Sequence, residues 1–270
     1  MKHLKWIVVM FGFALFLLNA CEEAVTNTAD DKNPTPETFF PLTQNSEWEY
    51  DQYKLDVDGN VQAGTIKSVR TKISGSKDFL GITYSGLITY ENGVATGTEY
   101  YYSDGSKLYV TKNEIAPKYD GMDISFFVDK LPETVIIADV DTDKWTLLDD
   151  SVVNHILGIG FGGVDIAISG AVLITCEKGQ TDNIKLTDSS EVNAQEFIIE
   201  YSFDGMILGI EPFELTIRVH RWYAANMGFV LGQMDSETIT VKMTFMGQTI
   251  EKTMQVEGYK IVAKKITIAE

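Results

Sequence analysis

The chain has 270 residues, of which 44% are hydrophobic and 23% charged, and 22 Lys and Arg against 39 Asp and Glu give a formal charge of −17. Two cysteines are too few for a disulfide scaffold, and the composition is neither collagen-like nor of low complexity. The acidic balance disfavours nucleic acid as a partner, because a phosphate backbone is bound by clustered Lys and Arg. These numbers predict a folded, acidic protein.

The first twenty residues have the pattern of a secretory leader. Two lysines precede the apolar run WIVVMFGFALFLL at positions 6–18, which is shorter than the roughly 20 residues of a membrane-spanning helix. The segment LNAC at positions 18–21 resembles the lipobox of bacterial lipoproteins, in which the cysteine receives a diacylglyceryl group and the chain is cut before it. The resemblance implies a lipoprotein signal peptide at 1–20 and lipid attachment at Cys21.

Residues 22–38 have the composition of a disordered tether. The segment EEAVTNTADDKNPTPET is rich in acids and contains hardly an apolar side chain, so it cannot bury enough surface to offset its ordering entropy. Glu22 and Glu23, directly after the cysteine, resemble the surface-export signal of Bacteroidetes-type lipoproteins. This resemblance implies an outer-membrane anchor through acylated Cys21, with display at the cell surface favoured over a periplasm-facing orientation.

Beyond Phe39 the dominant sequence pattern has a period of two, which is typical of strands, as in ITVKMTF at positions 239–245. Turn pairs that tolerate positive φ predict four tight hairpins, at Asp58-Gly59, Asn92-Gly93, Asp104-Gly105 and Asp204-Gly205. The segments are too closely spaced for a helix between successive strands, which excludes a doubly wound parallel sheet. We expect a mainly β fold, with α+β as the alternative, built on a curved antiparallel sheet or half-barrel.

Two segments have helical spacing instead. Apolar residues recur at i, i+3, i+4 and i+7 in 122–131 and at the similar helical spacing i, i+4, i+5 and i+8 in 148–156, so we expect one or two short helices there. The glycines of Gly158-x-Gly160-x-x-Gly163 match a dinucleotide fingerprint, but the residues that follow have a strand pattern, which favours close backbone packing or a hairpin around Gly162-Gly163. Cys176, within an apolar stretch, is predicted to be a small buried hydrophobe.

Two further segments resemble many Bacteroidetes outer-membrane lipoproteins. FPLTQNSEWEY at 40–50 resembles their opening strand, and WYAANMGFV at 222–230 resembles a segment before their final strands. Such proteins are often half-barrels similar to the periplasmic lipoprotein carriers, whose concave apolar face holds acyl chains. The resemblance implies one antiparallel β-rich domain over 39–270, or two fused halves that split near 145, and it implies a hydrophobic-ligand site.

Motifs of catalysis and metal binding are sparse. The two histidines that remain after the leader lack metal spacing, and the sequence contains neither G-x-S-x-G nor C-x-x-C. Asp139, Asp141 and Asp143 alternate as calcium ligands do, but Lys144 stands where an EF-hand loop needs glycine. An acidic solvated turn is therefore favoured there, and neither a metal nor a cofactor is expected.

Aromatic residues are the remaining candidates for ligand contact. Trp48, Trp145, Trp222 and the tyrosines at 100–102 could stack on sugar rings if they were exposed on one face, although strand aromatics more often form the core. Trp145, Trp222 and Tyr223 are the candidates for ligand binding. Alternation places Tyr101 opposite its two neighbours.

The sequence predicts a lipid-anchored, non-enzymatic envelope protein that binds an apolar ligand in a half-barrel cavity or supports envelope structure. The alternative is a surface module that binds glycans or proteins, and a hydrolase comes third. A cavity lined by strand residues would favour the first function. Exposed coplanar aromatics would favour the second, and histidines clustered with carboxylates in a cleft would favour the third.

The variant Cys21→Ser tests the predicted anchor. Each buried methylene contributes about 0.8 kcal/mol, so that two or three acyl chains account for stable membrane attachment. We expect Cys21→Ser to lose incorporation of a labelled fatty acid and to move from the membrane to the soluble fraction. Cys176→Ser is the control and should keep both label and membrane attachment. A Cys21→Ser protein that stays labelled and membrane-bound contradicts the prediction.

Overall fold

The computed structural model describes residues 38–115, 125–161, 164–209, 211–245 and 248–269. Within these ranges the chain forms fourteen strands and two single-turn 3₁₀ helices, Lys112–Glu114 and Ser125–Phe127. The strands are β1 Glu47–Leu55, β2 Lys67–Phe79, β3 Ile82–Glu91, β4 Val94–Ser103, β5 Lys107–Thr111, β6 Thr134–Asp139, β7 Lys144–Phe161, β8 Val164–Lys185, β9 Glu191–Ile207, β10 Glu211–Ala224, β11 Gly228–Met234, β12 Glu237–Phe245, β13 Gln248–Val256 and β14 Gly258–Thr267. Among the described residues, no helix is long and apolar enough to cross a membrane.

Twelve of the strands form one antiparallel sheet in the order β6-β5-β4-β3-β2-β1-β14-β11-β10-β9-β8-β7, and β12 and β13 pair with each other as a separate hairpin. The two edge strands, β6 and β7, are consecutive in the chain and are joined only by residues 140–143. At roughly 3.5 Å per residue this link spans less than about 20 Å, whereas twelve strands laid flat would separate the edges by about 50 Å. The sheet therefore has to curl until its edges meet.

Side-chain hydrogen bonds connect the two edges of the sheet, and we call this contact the closure seam. The Trp145 indole of β7 donates a hydrogen bond to the carbonyl of Ile136 in β6 at 2.9 Å, and the Lys178 ammonium of β8 donates to the carbonyl of Val140 at 3.0 Å. The predicted mainly β fold with a curved antiparallel sheet is confirmed. Trp145 is the second residue of β7. The division of the domain into two fused halves near this residue, and the other domain boundaries, stay a prediction.

Curling gives the sheet an inner and an outer face. Because successive strand residues point to opposite faces, β10 buries Phe213, Leu215, Ile217 and Val219 on the inner face while the residues between them are exposed. The turn at residues 125–131 fills the inner face beside β9, where the Phe126 ring lies 5.6 Å from that of Phe203. This part of the interior is a closed apolar core.

The helix predicted over 148–156 is wrong, because these residues belong to β7. The pairing of β7 with β8 shifts register three times, and Asn154 has a φ of 54°. Each bulge adds a residue, so the period-two pattern is broken into spacings that mimic a helix. Val152 is buried while Val153 is 76% exposed, as a strand requires.

The other predicted helix, at 122–131, is reduced to the 3₁₀ turn Ser125–Phe127, with Phe127, Val128 and Leu131 buried as the spacing suggested. Residues 122–124 lie outside the described ranges. The strand pattern after the glycine-rich motif is confirmed by β8, and the pair Gly162-Gly163 is also outside the described ranges.

Three of the four predicted hairpin turns are confirmed, at Asp58-Gly59, Asn92-Gly93 and Asp104-Gly105. The fourth is wrong, because Asp204 and Gly205 lie inside β9 and the chain turns after Ile207. Gly205 faces Gly170 of β8 across the sheet. A Cβ on Gly205 would meet the Ser169 carbonyl oxygen at 2.4 Å, so this glycine serves close backbone approach.

Replacing Gly205 by Ala therefore tests whether this glycine is required by the close approach of β8 and β9. We expect Gly205→Ala to lower the free energy of unfolding by about 1–3 kcal/mol, the usual cost of overpacking. Gly97→Ala in β4 is the matched control, because nothing lies within 4 Å of its added Cβ and its stability should not fall. Urea midpoints measure both, and an unchanged midpoint for Gly205→Ala would contradict the assignment.

Candidate functional site

A cavity of about 460 Å³ opens on the inner face, between β1–β4 on one side and β10, β11 and β14 on the other. Its strand residues alternate along the chain, as the two-residue period requires. They include Trp48, Tyr50 and Gln52 of β1, Val69, Thr71 and Ile73 of β2, Leu87, Thr89 and Glu91 of β3, and Tyr259 and Ile261 of β14. The site is thus built from rigid strands of the sheet.

The cavity exists because this part of the inner face is not filled. None of the described residues 125–131, which close the interior beside β9, is among its lining residues. Gly232 of β11 also lines the cavity, and a Cβ there would meet the Phe229 ring at 2.7 Å. The described turn at 125–131 therefore does not fill this part of the inner face.

One end of the cavity is closed by the residues that lead into β1. Phe40 and Pro41 are buried, and the Phe40 ring packs edge-on against Tyr223 with centroids 5.1 Å apart. Two hydrogen bonds hold this segment to the β10–β11 turn: the Asn226 amide donates to the Thr38 carbonyl at 2.7 Å, and the Thr38 amide donates to the Asn226 side chain at 3.2 Å. We call the end of the cavity formed by Phe40 and Pro41 the closed end.

The opposite end is polar. Lys67 of β2 and Glu91 of β3 form an ion pair there, with Nζ and Oε2 2.6 Å apart and side chains 46% and 31% exposed. Gln52 and Thr89 lie beside them on the lining. Because both side chains of this ion pair are partly exposed, the polar end is in contact with solvent.

Arg221 brings a positive charge into the cavity. It follows Val219 on the inner face of β10, and its cross-strand neighbour is Gly232. Burial opposes the charged form and lowers the pKa of Arg221, but the nearby tyrosines outweigh this effect and the net pKa lies above its ordinary value. No carboxylate of the described residues forms an ion pair with Arg221.

Phenol groups surround this guanidinium. Burial raises the pKa of Tyr101, Tyr223 and Tyr259, so all three are neutral hydroxyl groups at physiological pH. The Tyr101 hydroxyl donates to Glu99 at 2.6 Å, which leaves Glu99 a partnered carboxylate on the cavity wall. The buried Thr71 hydroxyl oxygen has no hydrogen-bond partner among the described residues.

The aromatic residues singled out from the sequence occupy different places. Tyr223 lines the cavity, whereas Trp145 lies at the closure seam. Trp222 faces the other way from Tyr223, donates to Asp182 at 3.1 Å and stacks on His220 with an interplanar angle of 19°. Cys21 lies outside the described ranges.

The acidic candidates Asp139, Asp141 and Asp143 form a lysine-bound turn. The Asp141 amide donates to Asp139 at 2.9 Å, and Lys107 lies 3.3 Å from the same carboxylate. Burial alone would raise the pKa of Asp139, but these partners outweigh it and hold the pKa below its ordinary value. Asp143 pairs with Lys178 at 2.9 Å. Across the described residues, no three His, Cys, Asp or Glu side chains are grouped closely enough to hold a metal ion.

A second aromatic group lies on the outer face of β2–β5, opposite the cavity. Its members are Phe79, Tyr84, Tyr100, Tyr102 and Tyr109. Neighbouring rings are tilted by 45–79° to each other, and Tyr84 is only 2% exposed. The predicted alternation around Tyr101 is confirmed, but these rings do not form a coplanar platform.

Sequence reasoning missed Arg221, which carries the charge of the site. A single arginine inside VHRWY has no motif signal. The period of two does place it on the same face as Val219 and Tyr223, so the available signal was a charged residue in register with a buried face.

No protein-family model matches the chain, and no curated protein matches it. It is similar to a crystal structure described as a "putative lipoprotein" from Parabacteroides distasonis, with a TM-score of 0.40 and 13% identity over 86% of this chain and 99% of that one. It is also similar to a "putative exported protein with YmcC-like fold" from Bacteroides fragilis, with a TM-score of 0.37 and 12% identity over the same shares of the two chains. Similarities this distant carry no argument about the ligand.

Cys176 offers a test of how tightly the inner face is packed. Its side chain is fully buried in the core, and burial raises the pKa of the thiol well above its ordinary value. We expect the thiol in a Cys21→Ser chain to be unreactive towards a thiol-specific reagent while folded and to react fully in denaturant. Rapid labelling of the folded protein would show that the core beside β8 is open.

Proposed function

We propose that the protein is a lipid-anchored, non-enzymatic protein of the cell envelope that binds an apolar molecule in the inner-face cavity. The observation that carries the proposal is a cavity of about 460 Å³ on the inner face of the sheet. Its volume falls within the range of about 300–1,000 Å³ that is typical of small-molecule sites. Acylated Cys21 would attach the protein to the outer membrane, facing the cell surface.

The walls of the cavity suit an acyl chain. Leu87, Ile73, Phe229 and the closed-end residues Phe40 and Pro41 present apolar surface to one continuous space. Burying about ten methylenes would contribute about 8 kcal/mol, which corresponds to a micromolar dissociation constant before the costs of association. A fatty-acid-sized ligand is therefore within reach of this site.

The other two candidate functions have weaker support. A glycan platform needs exposed coplanar rings, and the outer-face aromatic group is tilted and partly buried. A hydrolase needs histidine with carboxylates in a cleft. His220 does pair with Glu196 at 2.7 Å, but neither residue lines the cavity.

Thr89→Trp tests the proposal by filling the cavity. Thr89 lines the cavity, so an indole there would occupy ligand space, and we expect binding of the neutral fluorescent probe N-phenylnaphthylamine to fall at least about tenfold. The matched control is Thr98→Trp, which adds the same ring at an exposed position of β4 and should bind the probe normally. Titrations use the chain from residue 21 with Cys21→Ser, since all fourteen strands lie beyond residue 46.

Absence of probe binding to the parent chain, together with absence of lipid in a solvent extract of the protein purified from cells, would overturn the proposal. Equal binding by Thr89→Trp and the parent would show that the probe binds elsewhere, which also contradicts it.

A further inference from the structure

We propose that the ligand is a single-chain amphiphile with an anionic head group, which Arg221 binds while the apolar chain extends towards the closed end. This inference rests on the proposed function and names the chemical class of the molecule in the cavity. The guanidinium presents a planar set of donors that matches a carboxylate or a phosphate in bidentate geometry.

The lining charges show why Arg221 is the residue that needs a partner. Lys67 and Glu91 neutralise each other at 2.6 Å, and Glu99 accepts a hydrogen bond from Tyr101. Arg221 is the lining cation for which the described residues supply no carboxylate. Arg221 is half-buried, and a charge that is partly withdrawn from water is stabilised by a partner of opposite sign, so an anionic ligand gains affinity by supplying that partner.

The register of the sheet places Arg221 at the polar level of the cavity. Across neighbouring strands, Arg221 is in register with Gly232, and Gly232 is in register with Ile261. Ile261 is in turn in register with Gln52, and Gln52 with Lys67. Arg221 therefore belongs to the same row of the sheet as the residues of the polar end.

The opposite direction along β10 leads to apolar surroundings. Tyr223, two residues further along the strand, contacts Phe40 at the closed end. A ligand that enters chain first would thus place its methylenes against the apolar walls and leave its head group at Arg221.

Further hydroxyl groups are available at this level. Tyr259 lines the cavity near Arg221, and its hydroxyl makes no hydrogen bond to the described residues. Tyr223 interacts with Arg221 through its hydroxyl. Neutral phenols donate to anions without adding a competing charge, so they complement the guanidinium.

The test compares dodecanoate with dodecanol, which share a chain and differ in head-group charge. Calorimetric titration at pH 8 should show that the parent chain binds dodecanoate about 10- to 100-fold more tightly, as expected for hydrogen bonds to a charged group. Arg221→Met should lose this preference and keep its affinity for dodecanol. Arg218→Met removes an exposed arginine from the outer face of the same strand and should behave as the parent does.

Two more variants separate charge from folding. Glu99→Gln removes the neighbouring negative charge and should tighten dodecanoate binding without changing dodecanol binding. Arg221→Lys keeps the charge but loses the bidentate geometry, and should have an intermediate preference. Because no carboxylate of the described residues pairs with Arg221, its replacement by Met should leave the urea midpoint unchanged or raised.

The outcomes distinguish the two proposals. If the parent binds dodecanol and dodecanoate equally, or if Arg221→Met retains the preference, the anionic head group is ruled out while the apolar site stands. If neither molecule binds, the proposed function itself fails. Tighter binding of dodecyl phosphate than of dodecanoate, again lost in Arg221→Met, would support the inference with phosphate as the head group, and inorganic phosphate alone should not compete.

Discussion

The structure depends on a topological constraint: the two edge strands of a twelve-stranded sheet are neighbours in sequence. Residues 140–143 join β6 to β7 directly, so the sheet cannot lie flat and its strands must wrap around a common interior. The closure seam through Trp145 then satisfies a buried indole N–H and holds the curvature. Every second residue along twelve strands faces inwards as a result, and each has to be packed, hydrated or matched by a ligand.

The interior meets this requirement in two ways. Beside β9, the turn at 125–131 brings two phenylalanines onto the inner face, and the Tyr201 hydroxyl donates to the Ile115 carbonyl to fix the incoming chain. Beside β1–β3, no described turn serves this purpose, and the cavity remains with Arg221 on its wall. The unfilled region thus carries a half-buried cation for which the described residues provide no carboxylate, and this is the kind of local inconsistency expected at a functional site.

The sequence predicts the architecture better than the site. Strand alternation and three Asx-Gly turns identify a curved antiparallel sheet, because both are local properties. Two errors arise where non-local geometry decides: bulges in β7 imitate a helix, and Gly205 is required by the approach of Gly170 rather than by a turn. Tyr223 is a candidate from the sequence, and strand alternation places Arg221 on the same face, but the cavity beside them depends on which strands face each other across the interior, and no local pattern encodes that.

The first described residues lie at one end of the cavity. Thr38 is hydrogen-bonded to Asn226 in the β10–β11 turn, which places the start of the described chain at the closed end. Phe40 and Pro41, which close that end, belong to the same short segment. Lys67 and Glu91 lie at the other end of the space, where β2 begins and β3 finishes. The first described residues therefore lie at the apolar end of the cavity, and the ion pair of Lys67 and Glu91 lies at the opposite end of the same strands.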